Sequence, residues 1–255
     1  MIIHSRDCYT HGYIVCLFNG LITVAENQLL LEQRWLHHRE PALLAASGGA
    51  IDTISFITLF GLFTAHVTGN LVVAGAALAT NSEGILSKLL AIPVFMLAVA
   101  LVTLVIKRRK IITPRFLGGL FVVEILLLLL FGLLGLLWQP FVGADSATAL
   151  ITGMAGVMAM GGRNATTRLL LPTTSPSTMM TGNVTQLTID VVNWCQAPNR
   201  ENREKIKKSG ASVLGFLLGA GLGALGYILA GFYSVLIPLV LVSIVAWREF
   251  SAARN

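Results

Sequence analysis

The sequence predicts an all-α, polytopic transmembrane helix bundle built from two diverged repeats. Three observations predict it. Of the 255 residues, 55% are hydrophobic and only 12% are charged, whereas a soluble domain carries about 25% charged residues. Uncharged runs such as Leu89 to Ile106 and Ile125 to Phe141 match the ~18 apolar residues of a membrane-crossing helix. One tripeptide occurs twice, as Thr68-Gly69-Asn70 and Thr181-Gly182-Asn183, at an offset of 182 − 69 = 113.

At that offset Ala46, Gly48, Gly49 and Thr53 fall on Ala159, Gly161, Gly162 and Thr166. With the tripeptide this makes seven ungapped identities between Ala46 and Asn70, where chance gives about two. An integral membrane domain is read over residues 41–255, with repeat one over about 41–138 and repeat two over about 146–250. Residues 1–40 are set apart as an accessory N-terminal extension. Its apolar run, Ile14 to Ala25, is too short to cross a bilayer and lacks the basic start of a signal peptide. Arg34, His37, His38 and Arg39 read as a solvated pre-membrane helix, since no carboxylate–histidine pattern surrounds them.

The first span runs from about Pro41 to Thr64 and carries Asp52 near its middle. Thr68-Gly69-Asn70 opens a short piece ending near Thr80. The next span, Leu89 to Ile106, is stopped by Lys107-Arg108-Arg109-Lys110. Phe116 to Trp138 follows, with Glu124 beside five leucines. The second copy begins near Ser146, passes Gly161-Gly162-Arg163-Asn164 and breaks at Pro172 to Ser177. Thr181-Gly182-Asn183 opens another short piece, ending near Trp194, and a basic loop follows from Asn199 to Lys208. Ala211 to Ala230 and Phe232 to Trp247 close the bundle.

Net charge is +6. The basic residues collect in short segments between spans, where the positive-inside rule expects them in the cytoplasm. The expected location is therefore the cell membrane, with both termini cytoplasmic and Gln139 to Asp145, which has no Lys or Arg, outside. An even number of crossings must separate successive basic clusters, yet three apolar candidates lie between each pair. The pieces opened by Thr-Gly-Asn are the weakest candidates. The expectation is six full spans plus two half-helical or re-entrant segments. Three crossings per unit would insert the second unit inverted relative to the first, a recurrent transporter plan. Eight full spans in parallel repeat is the rival count.

Gly49-Ala50-Ile51-Asp52, Met160-Gly161-Gly162-Arg163-Asn164-Ala165 and the doubled Thr-Gly-Asn resemble the YoaK-like membrane proteins, over roughly Leu43 to Trp247. That family is catalogued as a domain of unknown function. The resemblance implies a multi-pass membrane protein and supplies no substrate or reaction. Many members have Gln where this chain has Arg163.

Candidate substrate-binding residues are Asp52, Thr68, Gly69, Asn70, Arg163, Asn164, Thr181, Gly182 and Asn183, with Glu124 as a further buried ionisable group. Ionisable residues inside spans are costly in hydrocarbon and face the bundle interior. Asp52 and Arg163 fall on equivalent spans (163 − 113 = 50, two residues from 52), so they are expected to pair, directly or through a polar bridge, and to border the solute path; the alternative is that each finds a local partner, such as Asn164 or a freed carbonyl. Half-helices opening at Thr-Gly-Asn direct backbone N–H groups and a positive dipole end at an anion or polar solute. The competing reading is that the glycines permit tight helix crossing while the polar side chains satisfy broken backbone. On either reading Gly69 and Gly182 are expected to touch the other repeat. His66 is read as a satisfied loop residue, Arg168 as snorkelling to an interface, and Gly215, Gly219 and Gly223 as a packing seam.

No nucleophile elbow, His-Glu-x-x-His or phosphate loop is present. No catalytic residue, metal site or cofactor is assigned. The odd count of Cys8, Cys16 and Cys195 argues against a disulfide framework. Nucleic acid is not an expected partner, for want of any basic–aromatic motif. The expected partners are the lipid bilayer and a small polar or anionic solute. The functional expectation is a small-solute or ion permease. The alternative is a non-transporting scaffold or lipid-binding protein.

Overall fold

The computed structural model describes Trp35 and residues 39–254 other than Lys110 and Thr173. The elements in order are α1 (Arg39–Thr58), α2 (Gly69–Ala79), α3 (Ile85–Lys107), α4 (Pro114–Trp138), α5 (Ala147–Leu170), α6 (Met180–Gln196) and α7 (Arg200–Ala230). A short 3₁₀ turn, Gly231–Val235, joins α7 to α8 (Leu236–Ala252). The described residues contain no strand. Arg34, His37 and His38, and nearly all of the extension, lie outside the described residues.

Helix starts follow local chemistry. Thr113 accepts from Phe116 N at 3.2 Å ahead of Pro114, Ser146 accepts from Ala149 N at 3.4 Å, and Asn199 accepts from Asn202 N at 2.7 Å. Each satisfies a first-turn N–H. The expected basic loop from Asn199 to Lys208 is instead the first part of α7. With Asn199 as its cap, it is held by Glu201–Lys205 and Glu204–Lys207 ion pairs, both at 2.7 Å, spaced as a helix face requires.

Four helical stretches are long and apolar enough to cross a membrane: Arg39–Thr58, Ile85–Lys107, Pro114–Trp138 and Arg200–Ala252. The last contains α7, the turn and α8. Leu101, Leu104, Leu126, Leu129 and Leu133 point outward, as suits a chain whose surroundings are lipid. Helix α5 is long but less apolar, with Arg163, Asn164 and several Thr and Gly residues, and more than half of its residues are buried by neighbours.

Residue contacts fix the relative helix directions. Gly215, Gly219 and Gly223 lie against the backbone of Ala42, Ala46 and Ala50 in turn, so α1 and α7 run parallel. A methyl group at any of the three would collide with backbone, the close approach expected of a small-residue seam. Gly161 abuts Ala98, and Asp145 just before α5 accepts from Gly84 N and Ser87 N at the start of α3, so α3 and α5 run parallel. The pairs Glu124–Arg163 and Phe131–Gly156 make α4 and α5 antiparallel. Gly118 meets Phe250 and Gly132 meets Val235, so α4 and α8 are antiparallel too. Arg248–Glu40 (2.7 Å) and Ser47–Pro238 (3.4 Å) give the same relation for α8 and α1. Helices α1, α4 and α7 therefore run one way, and α3, α5 and α8 run the other.

Trp35 is buried against the bundle. Its ring stacks on Phe121 with centroids 6.0 Å apart, and its Nε1 donates to Glu249 Oε1 at 3.2 Å.

Candidate functional site

Two polar centres occupy the interior. The first is Arg163 with Glu124, on α5 and α4. Arg163 is 1% and Glu124 3% exposed. Arg163 Nε donates to Glu124 Oε1 at 2.8 Å, and Nη2 donates to the same oxygen. Nη1 donates to the Leu44 carbonyl and Nη2 to Ser47 Oγ, each at 2.8 Å. The planar fork thus ties α1, α4 and α5 together. Gly48 lies beside it: a Cβ there would be in ordinary contact with Arg163 Nη1 at 3.7 Å and tight against the Ser177 carbonyl at 3.2 Å. Glu124 Oε2 is buried with no hydrogen-bond partner among the described residues.

The second centre is Asp52, 3% exposed. The chain after α1 folds back over it. Asp52 Oδ1 accepts from Thr64 N (2.8 Å), Thr64 Oγ1 (3.0 Å) and Ala65 N (2.6 Å). Oδ2 accepts from His66 N at 3.1 Å and lies 2.6 Å from His66 Nδ1. The expected Asp52–Arg163 pair does not form. The guanidinium meets α1 at Leu44 and Ser47, more than a helical turn before Asp52, and is taken by Glu124 on the adjacent antiparallel helix, while loop amides saturate the aspartate. His66, read as an ordinary loop residue, is the partner that takes the second Asp52 oxygen.

The Thr-Gly-Asn triplets open α2 and, one residue in, α6. Neither threonine caps its helix through its side chain. The asparagines reach backward instead. Asn70 Nδ2 donates to the Phe63 carbonyl at 2.8 Å, and Phe63 N donates to Asn70 Oδ1 at 2.9 Å. Asn183 Nδ2 donates to the Pro176 carbonyl at 2.6 Å. The two bonds join positions related by the same offset, 176 − 63 = 113 and 183 − 70 = 113. Pro176 has no N–H, which is why the second copy lacks the return bond.

The glycines do not make the expected contact with the other half. A Cβ on Gly69 would meet only Phe63, at 3.1 Å, and one on Gly182 would meet nothing within 4 Å. Both stand at cavities rather than at a helix crossing. One cavity of about 540 Å³ is lined by Asp52, Phe63, His66, Thr68, Gly69 and Phe216. A second, about 470 Å³, lies between the halves and has His66, Thr68, Asn164, Thr178, Thr181 and Gly182 in its wall. A third, about 600 Å³, shares Gly182 and continues past Arg168, Gln186 and Asp190 to Lys205 and Lys208. His66 and Thr68 border the first two, and Gly182 borders the last two. Asn164 donates to Thr178 Oγ1 at 2.7 Å in the middle cavity wall.

Sequence reasoning missed three buried polar groups. Lys88 Nζ donates to the Phe60 and Gly84 carbonyls, both at 3.0 Å. Asp190 accepts from Gln186 Nε2 at 2.8 Å and Ser209 Oγ at 3.0 Å, joining α6 to α7. Glu249 sits beneath Trp35. Each lies near an apparent span end, where a charge reads as interfacial. The described residues contain no group of three or more potential metal ligands.

No curated protein and no solved structure matches this chain. The family model described as a protein of unknown function (DUF1275) matches residues 41–247, and the chain belongs to that family.

Proposed function

We propose that the chain is a small-solute permease of the cell membrane, built from two inverted repeats that meet at the Thr-Gly-Asn cavities. The observation that carries this reading is the middle cavity, where Thr68 of one triplet and Thr181 and Gly182 of the other share one wall. Repetition of the structure at the 113-residue offset supports it. The Asn70–Phe63 and Asn183–Pro176 bonds are equivalent, and α1 packs on α7 and α8 as α5 packs on α3 and α4.

Helix directions support six spans. If the long helices cross, α1 ends on the side where α3 begins, so α2 enters and leaves by one face. The same holds for α6 between α5 and α7. Eight full crossings would instead make α4 and α8 parallel. Together with the basic segments this supports cytoplasmic termini and an external 139–145 loop.

The solute class that fits is small and polar or anionic. The middle cavity offers hydroxyls, an amide, an imidazole and the start of α6, with Met and Phe side chains for an apolar body. The arrangement of broken helices beside a cavity at a repeat interface resembles a transporter binding site. Thr68, Asn164, Thr181 and the first-turn backbone at Gly182 would touch the solute, whereas Asn70 and Asn183 hold the chain that shapes the cavity.

The test is flux into proteoliposomes of purified protein. A panel of small organic anions, inorganic anions and neutral polar solutes is screened, with Thr181→Trp as the filled-cavity control. Accumulation above empty vesicles, lost in the tryptophan variant, is the expected result. No flux for any panel member, with the protein folded, favours the scaffold alternative.

A further inference from the structure

Asp52 and His66 form a pair whose geometry leaves one imidazole nitrogen for the cavities. Every other partner of Asp52 is a donor: Thr64 N, Thr64 Oγ1, Ala65 N and His66 N. A carboxylate is the group that complements four donors, so Nδ1 of His66 is left to donate to Oδ2 at 2.6 Å. That fixes the tautomer: the proton sits on Nδ1, and Nε2 carries a lone pair. Edge contacts with Phe216 (5.2 Å between centroids) and Phe63 (6.3 Å) hold the ring plane. The side chain keeps 32% of its surface open, and His66 borders both the first and the middle cavity. Nε2 has no hydrogen-bond partner within the described residues.

Among the described residues, the only other titratable side chain lining either cavity is Asp52, on α1. Helix α7 presents Phe216, α3 presents Ile92, Phe95 and Met96, α5 presents Asn164 and α6 presents Thr181. Among the described residues, none in the wall of the middle cavity carries a fixed charge.

We propose that His66 is the proton-binding group of the path. It takes a proton at Nε2 from the cavity, and Asp52 stabilises the imidazolium through the Nδ1–H bond. The proton gives an otherwise uncharged cavity one positive group, so an anion bound there is accompanied by a proton. Entry of the anion then carries no net charge, and release of the proton to the other side restores the lone pair. This rests on the permease reading for its role, while the proton site itself does not.

The probe is the proton alone. The full chain is labelled with ¹⁵N-histidine, reconstituted in nanodiscs and titrated by NMR. His66→Gln identifies the resonance among the five histidines. The expected result is a single Nδ1–H tautomer at high pH that gains a proton at Nε2 on acidification. Asp52→Asn is expected to lose the single Nδ1–H tautomer, because the acceptor that fixes it is gone. An Nε2–H tautomer, or a ring that stays neutral down to pH 5, overturns the proposal. The wild-type tautomer decides this even where Asp52→Asn does not fold. Solute flux in the proteoliposome screen alongside a non-titrating His66 overturns the inference and leaves the permease reading intact. A titrating His66 with no flux for any solute sustains the proton site and counts against the permease.

Discussion

Arg163 gives Nε and Nη2 to one oxygen of Glu124, so two buried charges on antiparallel helices neutralise each other. Removing one partner of such a pair costs about 3–5 kcal/mol, because the other is left charged and buried. Arg163→Met is therefore expected to lower the melting temperature sharply in detergent or nanodiscs. Arg163→Met combined with Glu124→Leu is expected to recover most of the loss. If the double variant is no more stable than Arg163→Met alone, the pair does not carry the effect. By contrast, the exchange Asp52→Arg with Arg163→Asp is not expected to rescue either single variant.

The two triplet asparagines differ by the return bond. Asn70 both donates to and accepts from Phe63, while Asn183 donates to the Pro176 carbonyl and, weakly, to Met180 Sδ and accepts no return bond from position 176. A hydrogen bond lost from a buried group costs about 1–3 kcal/mol. Asn70→Ala is thus expected to destabilise the protein more than Asn183→Ala. Thermal unfolding of the two variants side by side measures the difference. Equal losses would mean that the return bond contributes nothing.

Glycine substitutions should split into two groups. Gly219 lies against the Ala46 backbone, so Gly219→Leu must push α1 and α7 apart. Gly182 has nothing within 4 Å, and Gly182→Ala should fold normally and gain a little from helix propensity. Expression level and monodispersity in detergent separate the outcomes. A folded Gly219→Leu or a misfolded Gly182→Ala would contradict the packing described.

Much of the architecture is legible in the sequence because apolar runs and glycine spacing are local signals. The starts of α2, α4 and α5, the break after Leu170 and the Gly215–Gly219–Gly223 seam all follow from such signals. The partners of buried charges are not local. Glu124 and Arg163 lie 39 residues apart, and nothing in either neighbourhood points to the other. The bond between Asp52 and His66 depends on a tight return of the chain after α1. An apolar run through Thr64 conceals that return, since Leu59 and Leu62 are buried in the turn itself. The helical start of α7 was hidden for the opposite reason: it is polar on all sides, and its charge pairs rather than an apolar face hold it.

Asp145 predicts a pH effect on the loop that precedes α5. Burial pushes its carboxyl up, but N–H groups of Ser87 (2.9 Å) and Gly84 (3.1 Å), with further help from the Ser87 side chain and Leu86 N–H, outweigh that and hold it below the usual carboxylate range. A depressed folded value stabilises the fold above the unfolded value of about 3.9. That stabilisation is lost as pH falls through the folded value. Melting temperature should therefore drop on acidification below about pH 4, and Asp145→Asn should show a smaller acid-dependent part of that drop. An identical pH profile in the variant would remove Asp145 from the account.

The central claim is a water-filled path at the Thr-Gly-Asn cavities between inverted halves. Gly182→Cys tests it most directly, because the position borders two cavities and has space for a side chain. Cys8, Cys16 and Cys195 are replaced by serine, and Gly143→Cys and Lys205→Cys serve as side markers in sealed vesicles of known orientation. The account predicts that a small water-soluble thiol reagent labels Gly143→Cys from outside and Lys205→Cys from the cytoplasm. It predicts that the reagent also reaches Gly182→Cys through the cavity lined by Lys205 and Lys208. A Gly182→Cys that is inert from both aqueous sides, or markers that label from the same side, would contradict it.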